Sequence, residues 1–311
     1  MHNPDAAGQA RQTLDVLVVG EALTDIVTSP EGSVEHPGGS PANVAYGLGR
    51  LGVSTGLLTA FGNDDRGAAI EKHLLSAGVS LLPASRSLGR TSTATVTLAQ
   101  DGSASYDFDI SWDVASTAPE YFPKILHTGS IATFLSPGAG AVKSLLEQAH
   151  THCMITYDPN IRPALLGSQL QATSVFEDLV QLTDVVKLSD EDAQWLYPGK
   201  DLQDTAERLL ELGAGLAVIT KGSHGALLAT AAARLTIPAV TSRVADTIGA
   251  GDSYMAALIL GLLTRGTDGL APAVLDQVGR TAAMAAAITV RRPGANPPTL
   301  EELRTHLQPV S

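Results

Sequence analysis

A glycine-rich turn that leads into an aspartate is the most specific chemical signal in this sequence. Residues 246–252 read Asp-Thr-Ile-Gly-Ala-Gly-Asp, and an apolar run of helical character, residues 253–263, follows them. Successive N–H groups in such a turn can point at one spot, where the helix dipole adds positive potential that suits a transferring phosphoryl group. Asp252 is then placed to accept the proton of an attacking hydroxyl. The alternative is an ordinary turn in which Asp252 only stabilises the helix N-terminus.

The second motif lies near the other end of the chain, at residues 38–45, which read Gly-Gly-Ser-Pro-Ala-Asn-Val-Ala. The two glycines permit a tight backbone turn. Ser40 suits the N-cap of a helix and Pro41 its first position, so a helix is predicted to begin here. Asn43 then falls in the first turn, where its amide can hydrogen-bond a polyol. The alternative is a capping asparagine that faces solvent.

Composition limits the class of protein. The chain has 311 residues, of which 44% are apolar and 17% charged, a balance that predicts a large core and disfavours disorder. Its net charge of −12, without a dense block of lysine and arginine, disfavours binding to nucleic acid. No apolar run is long enough to span a bilayer, and residues 1–13 lack the apolar stretch of a signal peptide, so we expect a cytoplasmic protein. Cys153 is the only cysteine, which rules out an internal disulfide.

Short apolar runs alternate with helical patterns along most of the chain. A continuous apolar run bounded by turn residues is typical of a strand that is buried on both faces. Strands that alternate with helices predict an α/β fold with a doubly wound, mostly parallel central sheet flanked by helices. The predicted strands are residues 14–19, 56–60, 125–127, 154–157, 185–188 and 216–220. The clearest predicted helices are residues 42–51, 67–77, 139–150 and 202–212.

Two segments break this alternation. Residues 91–98 and 104–110 show the period-two pattern of antiparallel strands on either side of an Asp-Gly turn. Residues 26–36 form a second extended piece with a Pro-Glu-Gly turn signal of its own. We expect these pieces to pair into a small sheet that stands off the main domain. Either a surface hairpin or a lid over an active site fits the pattern, and the lid is favoured because insertions in α/β folds often gate ligands.

The two motifs together resemble the signatures of the PfkB, or ribokinase-like, carbohydrate kinase family, and the resemblance extends from residue 15 to residue 302. It implies one ribokinase-like domain over residues 1–311, with a small β-sheet lid formed by residues 26–37 and 90–110. It also implies ATP- and Mg²⁺-dependent transfer of phosphate to a sugar hydroxyl. The residues it assigns to catalysis are Asp252 as the base and Gly249, Ala250 and Gly251 as the phosphoryl-binding turn.

Further residues match the family and imply a sugar site. Asp25, which follows the first strand, matches a sugar-binding carboxylate, and a carboxylate can accept from two vicinal hydroxyls. By the same resemblance Gly39 and Asn43 bind the sugar. Asn160 and Arg162 belong to a D-x-N-x-R stretch, in which they would approach the phosphates. From the residues alone, Asp25 is equally well a turn aspartate and Arg162 a surface arginine.

The resemblance also implies a nucleotide site and two cation sites. The residues it assigns to ATP are Lys187, Ser189, Thr220, Lys221, Gly222, Gly225 and Asn296. The family's N-x-x-E motif organises magnesium through water, and here Asp192 replaces the glutamate, so either Asp192 or Glu191 would serve Mg²⁺. An N-cap at Ser189 with acidic first-turn residues is an equally good interpretation. A monovalent cation such as K⁺ would bind the carbonyls of Asp246, Ile248, Thr289, Arg292 and Gly294.

The sequence leaves more than one sugar and more than one class of function open. Residues 20–25 and 38–45 look most like those of bacterial fructokinases, which phosphorylate the 6-hydroxyl of fructose, while ribokinase and 2-keto-3-deoxygluconate kinase remain open. A noncatalytic sugar-sensing protein on the same fold is a rival from another class. A nicotinamide-dependent oxidoreductase is disfavoured, since the Gly-x-Gly-x-x-Gly at residues 47–52 ends a helix instead of following a strand. Family relatives commonly dimerise through the lid, so a homodimer is a further hypothesis.

Overall fold

Strands and helices alternate through most of the chain. A computed structural model describes residues 14–29, 32–98, 104–114, 121–266 and 270–307. In chain order its strands are β1 (Val16–Val19), β2 (Leu23–Ser29), β3 (Gly32–Gly38), β4 (Thr55–Leu58), β5 (Ser80–Leu81), β6 (Thr93–Leu98), β7 (Ala104–Asp109), β8 (Ile125–Gly129), β9 (Met154–Asp158), β10 (Val185–Ser189), β11 (Leu216–Thr220), β12 (Ala226–Ala229) and β13 (Arg234–Ile237). Its helices are α1 (Ser40–Arg50), α2 (Asp65–Ser76), α3 (Gly138–Ala149), α4 (Pro163–Leu166), α5 (Gln169–Val180), α6 (Asp190–Leu196), α7 (Leu202–Glu211), α8 (Ala250–Leu263), α9 (Pro272–Thr289) and α10 (Leu300–Leu307).

Nine strands of the described ranges form the main sheet, in the order β13-β12-β11-β10-β9-β8-β1-β4-β5. The strands from β11 to β5 pair in parallel, whereas β12 and β13 add an antiparallel edge. The chain winds outward from β1 in both directions, so the predicted α/β class with a doubly wound, mostly parallel sheet is confirmed. Each predicted strand and each of the four clearest predicted helices coincides with an observed element to within two residues.

The core lies on both faces of this sheet. On one face α1, α8 and α9 pack together, with Leu48 and Leu258 fully buried between them. On the other face α3, α5 and α7 bury Leu146, Phe176 and Leu209 against the strands. Because α8 is covered by helices and sheet together, it is apolar nearly all round. Among the described helices, α8 included, none is both long and apolar enough to cross a membrane.

A second sheet of four strands, in the order β3-β2-β6-β7, stands beside the first in the part of the chain that the structure describes. β2 pairs antiparallel with β3 and parallel with β6, and β6 pairs antiparallel with β7. The predicted pairing of the two extended pieces is therefore confirmed. The Asp101-Gly102 turn and the first two residues of the Pro-Glu-Gly signal lie outside the described residues.

Asp64 connects the small sheet to the main one. Its Oδ1 accepts from the Gly67 N–H (2.8 Å) and so caps α2, which follows β4. The same carboxylate accepts from the Thr91 hydroxyl (2.6 Å) and the Thr91 N–H (2.8 Å), just before β6 begins. One capping residue thus fixes where the small sheet leaves the body of the protein.

Candidate active site

The start of α8 presents backbone donors at the edge where the parallel strands end. Gly249 is the N-cap, with φ of 73° in the left-handed region that favours glycine. A Cβ at this position would also lie 2.6 Å from that of Ala295, so a side chain is excluded on steric grounds as well. Helix geometry leaves the N–H groups of Gly251 and Asp252 without an intrahelical acceptor. The turn therefore offers an anion two N–H donors and the positive end of the helix dipole.

Asp252 is held from across the site by the first turn of α1. Ser40 Oγ donates a hydrogen bond to Oδ1 of Asp252 (2.7 Å), and Asn43 Nδ2 donates to Oδ2 (2.8 Å). Burial raises the pKa of Asp252, while these two hydrogen bonds and the charges of Lys187 and Arg162 lower it. The result is an oriented carboxylate whose pKa lies above its usual range.

The structure corrects one detail of this turn. The sequence predicts Ser40 as the N-cap of α1, and that prediction is wrong, because Gly39 is the N-cap while Ser40 and Pro41 open the helix. Gly39 has φ of 98°, and a Cβ there would lie 2.7 Å from the Glu21 carbonyl oxygen. Only glycine fits this close approach of two chain segments. The Ser40 hydroxyl is consequently not used for capping and turns to Asp252.

Asp25 lies in β2 beside the glycines that precede α1. A Cβ on Gly38 would overlap Oδ2 of Asp25, so the carboxylate rests directly on the glycine backbone. Burial, followed by the charge of Asp252, raises the pKa of Asp25 to about 6, against the lowering effect of Arg162 and His36. The two aspartates therefore lie close enough for their charges to repel each other.

A buried ion pair lies beside the first turn of α8. Lys187 Nζ, in β10, is 2.7 Å from Oδ2 of Asp158, the last residue of β9, and each side chain is 4% exposed. A Cβ on Gly251 would be 3.7 Å from Lys187 Nζ, so the ammonium group adjoins the N–H donors of α8. Burial raises the pKa of Asp158 to about 6, with Lys187 acting in the opposite direction and Asp192 and then Asp252 adding to the rise. Asp25, Asp158 and Asp252 thus form one group of interacting acids, here called the carboxylate cluster.

Arg162 supplies positive charge to this cluster. It follows β9 and is exposed, its Nη1 donates to the Ile161 carbonyl (3.0 Å), and its charge lowers the pKa of both Asp25 and Asp252. Asn160, two residues earlier, has φ of 38°, a left-handed conformation that is uncommon outside glycine. The backbone here bends so that the segment after β9 turns across the ends of the strands.

Glu21 is a buried carboxylate that the motifs do not single out. Its Oε2 accepts from the Ala132 N–H (3.1 Å), and burial raises its pKa to about 8. The Ala132 carbonyl accepts from Nε1 of Trp112 (3.0 Å), which lies just after β7 of the small sheet. Glu21 and Trp112 thus clamp the 3₁₀ turn Ser130–Thr133 between the main sheet and the small sheet, next to the carboxylate cluster.

A cavity of about 640 Å³ opens on the other side of the α8 N-terminus and is here called the apolar cavity. Ala250 and Gly251 line the end that adjoins the helix start. Val240, Ala283 and Ala287 belong to its mostly small, apolar walls. A flat aromatic ring system fits such walls, and its attached phosphates would reach the helix N-terminus.

The turn after β11 forms the rim of the apolar cavity. Thr220, Gly222 and Gly225 line it, and the Lys221 N–H donates to the Gly225 carbonyl (2.7 Å) to close the turn. Gly225 has φ of 85°, and a Cβ there would overlap the Ile237 carbonyl oxygen. The sequence-predicted roles of Lys221 and Asn296 stay predictions, because neither is among the residues that line the cavity.

Ser189 and Asp192 form a capping box at the start of α6. Ser189 Oγ accepts from the Asp192 N–H (2.9 Å), and Asp192 Oδ2 accepts from the Ser189 N–H (2.9 Å). Asp192 Oδ1 also accepts from the Ile161 N–H (2.8 Å) and so fixes the segment after β9. The capping interpretation is confirmed. Glu191, by contrast, is exposed.

A metal site made by the protein alone would need a group of acidic, histidine or cysteine side chains. Within the described ranges, no group of three acidic, histidine or cysteine side chains could hold a metal ion. The Mg²⁺ role assigned to Asp192 or Glu191 stays a prediction. For the monovalent site, Asp246 brings two loops together, because its carboxylate accepts from the Ile248 N–H (3.0 Å) and the Gly294 N–H (2.8 Å).

The remaining cation candidates have other partners in the structure. The Thr289 hydroxyl donates to Ser253 Oγ (2.8 Å), and the Thr289 carbonyl accepts from the Arg292 N–H (3.0 Å). The Arg292 guanidinium pairs with Glu302 (2.7 Å) and thereby secures the loop before α10. The loops that would hold K⁺ are thus adjacent, while the ion's ligands stay a prediction.

The fold brings together residues that are far apart in the chain. Asp25, Asn43, Arg162, Lys187 and Asp252 all come from motifs in the sequence and meet at one edge of the sheet. Sequence reasoning missed the roles of Ser40, Glu21 and Asp158. A signal for Asp158 was available, because a lysine inside one apolar strand and an aspartate at the end of another indicate a buried pair.

The chain is similar to a known protein family and to curated relatives. A family model described as pfkB family carbohydrate kinase matches residues 13–302. A fructokinase of Rhizobium leguminosarum bv. trifolii is 31% identical over 259 residues, which is 79% of this chain and 79% of the relative.

Solved structures agree with this result. A fructokinase of Vibrio cholerae in a fructose-, ADP- and calcium-bound form has a TM-score of 0.84 and 25% identity, covering 94% of this chain and 98% of that one. A sugar kinase of Pyrococcus horikoshii in complex with ATP has a TM-score of 0.78 and 27% identity, covering 93% and 97%.

Proposed function

The chain belongs to the pfkB family of carbohydrate kinases, and from this premise we propose that it transfers the γ-phosphate of ATP to the 6-hydroxyl of fructose. The fructokinases among its relatives, and a related sugar kinase solved in complex with ATP, support an ATP-dependent, fructokinase-like sugar kinase activity. The observation that carries the mechanism is the position of Asp252, whose carboxylate is held by Ser40 and Asn43 at the start of α8.

In this mechanism Asp252 is the general base. Burial raises its pKa, while the hydrogen bonds from Ser40 and Asn43 and the charges of Lys187 and Arg162 act in the opposite direction and stabilise the ionised carboxylate. Asp252 accepts the proton of the sugar hydroxyl while the hydroxyl oxygen attacks the γ-phosphorus, and the bond from that phosphorus to ADP breaks in line. Positioning of the two reactants supplies much of the acceleration.

Positive charge at the N-terminus of α8 meets the transferring group. The N–H groups of Gly251 and Asp252 and the helix dipole face the phosphoryl oxygens. Lys187 adds a fixed ammonium 3.7 Å from where a Gly251 Cβ would stand, and its pairing with Asp158 prevents it from moving away. Mg²⁺, held by nucleotide phosphates and waters near Glu191 and Asp192, would neutralise further charge on the phosphates.

The sugar lies between the carboxylate cluster and the small sheet in this proposal. Asp25 accepts hydrogen bonds from two hydroxyls, and the Gly39 backbone allows the sugar to approach closely. Asn43 uses one of its two amide hydrogens for Asp252 and keeps the other for the sugar. The small sheet serves as the lid of a single kinase domain, since Asp64 and the Glu21–Trp112 clamp anchor its base beside the site.

The nucleotide occupies the apolar cavity, and its phosphates point toward Gly251. Asn160 and Arg162 lie beyond the phosphates. K⁺ binds at the loops joined by Asp246 in this proposal.

A homodimer through the small sheet is supported by Val34 and Tyr106, which are 54% and 65% exposed on its strands. Cytoplasmic location stays a prediction.

The test is an assay of ADP formation with a panel of sugars. The purified protein receives ATP and Mg²⁺ with fructose, ribose or 2-keto-3-deoxygluconate, with and without K⁺, and ³¹P NMR locates the new phosphate ester. The expected result is fastest turnover with fructose and an ester at the 6-hydroxyl. Faster turnover with ribose or the keto acid would contradict the choice of sugar. Sugar binding without ADP formation from any of them would favour the noncatalytic sensor.

A further inference from the structure

His36 shares a face of the small sheet with Asp25. It lies in β3, directly opposite Asp25 of β2 in the antiparallel register, and the side chains of opposed residues point to the same face. The preceding residue, Glu35, points the other way, because its Oε2 accepts from Nε of Arg66 in α2 (2.9 Å). The ribbon of β2 and β3 therefore turns one face to α2, while His36 and Asp25 lie together on the opposite face.

The face that carries His36 belongs to the proposed sugar site. Burial and the charge of Asp252 raise the pKa of Asp25, whereas the charges of Arg162 and His36 lower it. Charges act strongly on a carboxylate only at short range, so the His36 imidazole lies close to Asp25. Gly38, two residues after His36 on the same face, leaves the space that the Asp25 carboxylate occupies. Asp25 is thus bordered along β3 by a glycine on one side and an imidazole on the other.

The His36 imidazole is exposed, and its ring nitrogens have no hydrogen-bond or ion-pair partner among the described residues. Other histidines contact their neighbours. Nδ1 of His127 is 2.9 Å from Thr156 Oγ1, and the ring of His73 stacks on Tyr46 with centroids 3.8 Å apart. A neutral imidazole offers one donor and one acceptor, which suits a polyol hydroxyl that also donates and accepts.

We propose that His36 is a sugar-binding residue, whose imidazole hydrogen-bonds to a hydroxyl beside those held by Asp25 and contributes to sugar affinity and selectivity. This inference rests on the proposed function, because it requires the sugar to lie between the carboxylate cluster and the small sheet. Opposed residues of two antiparallel strands have Cβ atoms about 5 Å apart, so one small polyol can reach both side chains. Asp25 then supplies acceptors only, and His36 adds a donor.

The test compares the wild-type protein with the His36→Ala variant. Isothermal titration with fructose should give a dissociation constant that is roughly fivefold higher for the variant, the factor that corresponds to one ordinary hydrogen bond. The KM for fructose should rise by a similar factor, while the KM for ATP and the thermal unfolding temperature stay constant, because the imidazole is exposed. An unchanged affinity for fructose would overturn the inference.

A second titration at pH 8.5 separates a hydrogen bond from an effect of charge. Loss of the His36 charge should raise the pKa of Asp25, which is about 6 in the wild type, so a purely electrostatic role would act near and below that pH. At pH 8.5 Asp25 is ionised in both proteins, and an imidazole needs no charge to form a hydrogen bond. The fivefold difference should therefore persist at pH 8.5. A difference that disappears there would overturn the direct contact.

Two further variants are matched to His36→Ala. His36→Gln keeps a donor and an acceptor and should recover part of the lost affinity. His150→Ala removes another exposed histidine, at the end of α3 and before β9 begins, and should bind fructose as the wild type does. Equal losses of fructose affinity in His150→Ala and His36→Ala would overturn the assignment to His36.

Deoxy analogues of fructose identify the hydroxyl. Derivatives that lack the 1-, 3- or 4-hydroxyl remove the candidate partners one at a time. The analogue without the partner should bind wild type and His36→Ala equally, because the cycle then has no interaction left to lose. A preference of every analogue for the wild type would overturn the single contact. Should the wild type neither bind fructose nor form ADP with it, the proposed function itself would be refuted, which a loss confined to His36→Ala would not do.

Discussion

The two sides of the α8 N-terminus differ in the kinds of side chain that form them. On one side, the carboxylate cluster collects ionisable side chains from β2, β9 and α8 and places Lys187 and Arg162 among them. On the other side, the apolar cavity is walled by alanine and valine side chains and by a glycine-rich turn. The carboxylate cluster depends on charged groups, whereas the apolar cavity depends on side chains that are small enough to leave space.

The two regions therefore destabilise the folded protein in different ways. Burial raises the pKa values of Asp25 and Asp158 to about 6, so keeping them ionised at neutral pH works against folding. In the apolar cavity the cost lies in backbone conformation, because Gly222 and Gly225 have φ of 49° and 85°. Variants of the cluster should therefore change catalysis and its pH dependence, whereas variants of the cavity rim should change nucleotide affinity.

The largest effect is expected for Asp252→Asn. Loss of the general base should lower kcat by about 10³-fold, while the isosteric amide leaves the fold intact. Steady-state kinetics and thermal unfolding measure the two properties separately. Asp276→Asn, which changes a half-buried aspartate paired with Arg280 in α9, is the control and should keep normal turnover. Near-normal turnover in Asp252→Asn would remove the cluster from the chemistry.

The next effect is expected for Lys187→Met. Removing one member of a buried ion pair should reduce the free energy of unfolding by about 3 kcal/mol. The raised pKa of Asp158 sets the sign of the pH dependence: a group whose folded pKa lies above its unfolded value loses stability as pH rises. Without Lys187 that pKa rises further, so the variant should be more destabilised at pH 8 than at pH 5, as chemical denaturation can measure.

A double variant sharpens this prediction. Lys187→Met combined with Asp158→Asn leaves neither charge buried alone, so its loss of stability should be smaller than the sum of the two single losses. Strict additivity would mean that the two groups do not interact in the folded protein.

The third effect separates the cavity rim from the cluster. Gly225→Ala places a Cβ against the Ile237 carbonyl at a positive φ, and should cost about 2 kcal/mol of stability and raise the KM for ATP. Gly222→Ala is matched, because its φ is also positive but nothing lies within 4 Å of the new Cβ, so about 1 kcal/mol is expected. The KM for the sugar should stay constant in both. A change in sugar KM equal to that for ATP would mean that the two regions are coupled.

The smallest effect concerns the hydrogen bond from Ser40. Ser40→Ala removes a donor that lowers the pKa of Asp252, so that pKa should rise. The acid limb of the pH profile of kcat/KM should then move to higher pH by about one unit, with activity recovering in alkaline buffer. Ser76→Ala, at an exposed serine in α2, should leave the profile unchanged. An unshifted acid limb in Ser40→Ala would show that Asp252 does not set it.

Much of the site was predictable because its motifs combine local geometry with chemistry. Residues 246–252 predicted both the glycine cap and the acid at the start of α8 from turn and helix rules alone. Ser40 was misassigned because capping preferences are local, whereas its partner Asp252 is 212 residues away. The competing interpretations of Ser189 could not be decided from sequence, since a capping box and a cation site use the same residue types.

The alternation of apolar runs and helical patterns was enough to determine the doubly wound sheet, because buried parallel strands and amphipathic helices leave periodic signals in the chain. The amino-acid order also determined which turns require glycine. Only the tertiary structure decided that Ser40 and Asn43 bind Asp252 and that Lys187 pairs with Asp158 next to Gly251. These are contacts between distant segments, and they depend on how strands and helices pack, which local periodicity does not encode.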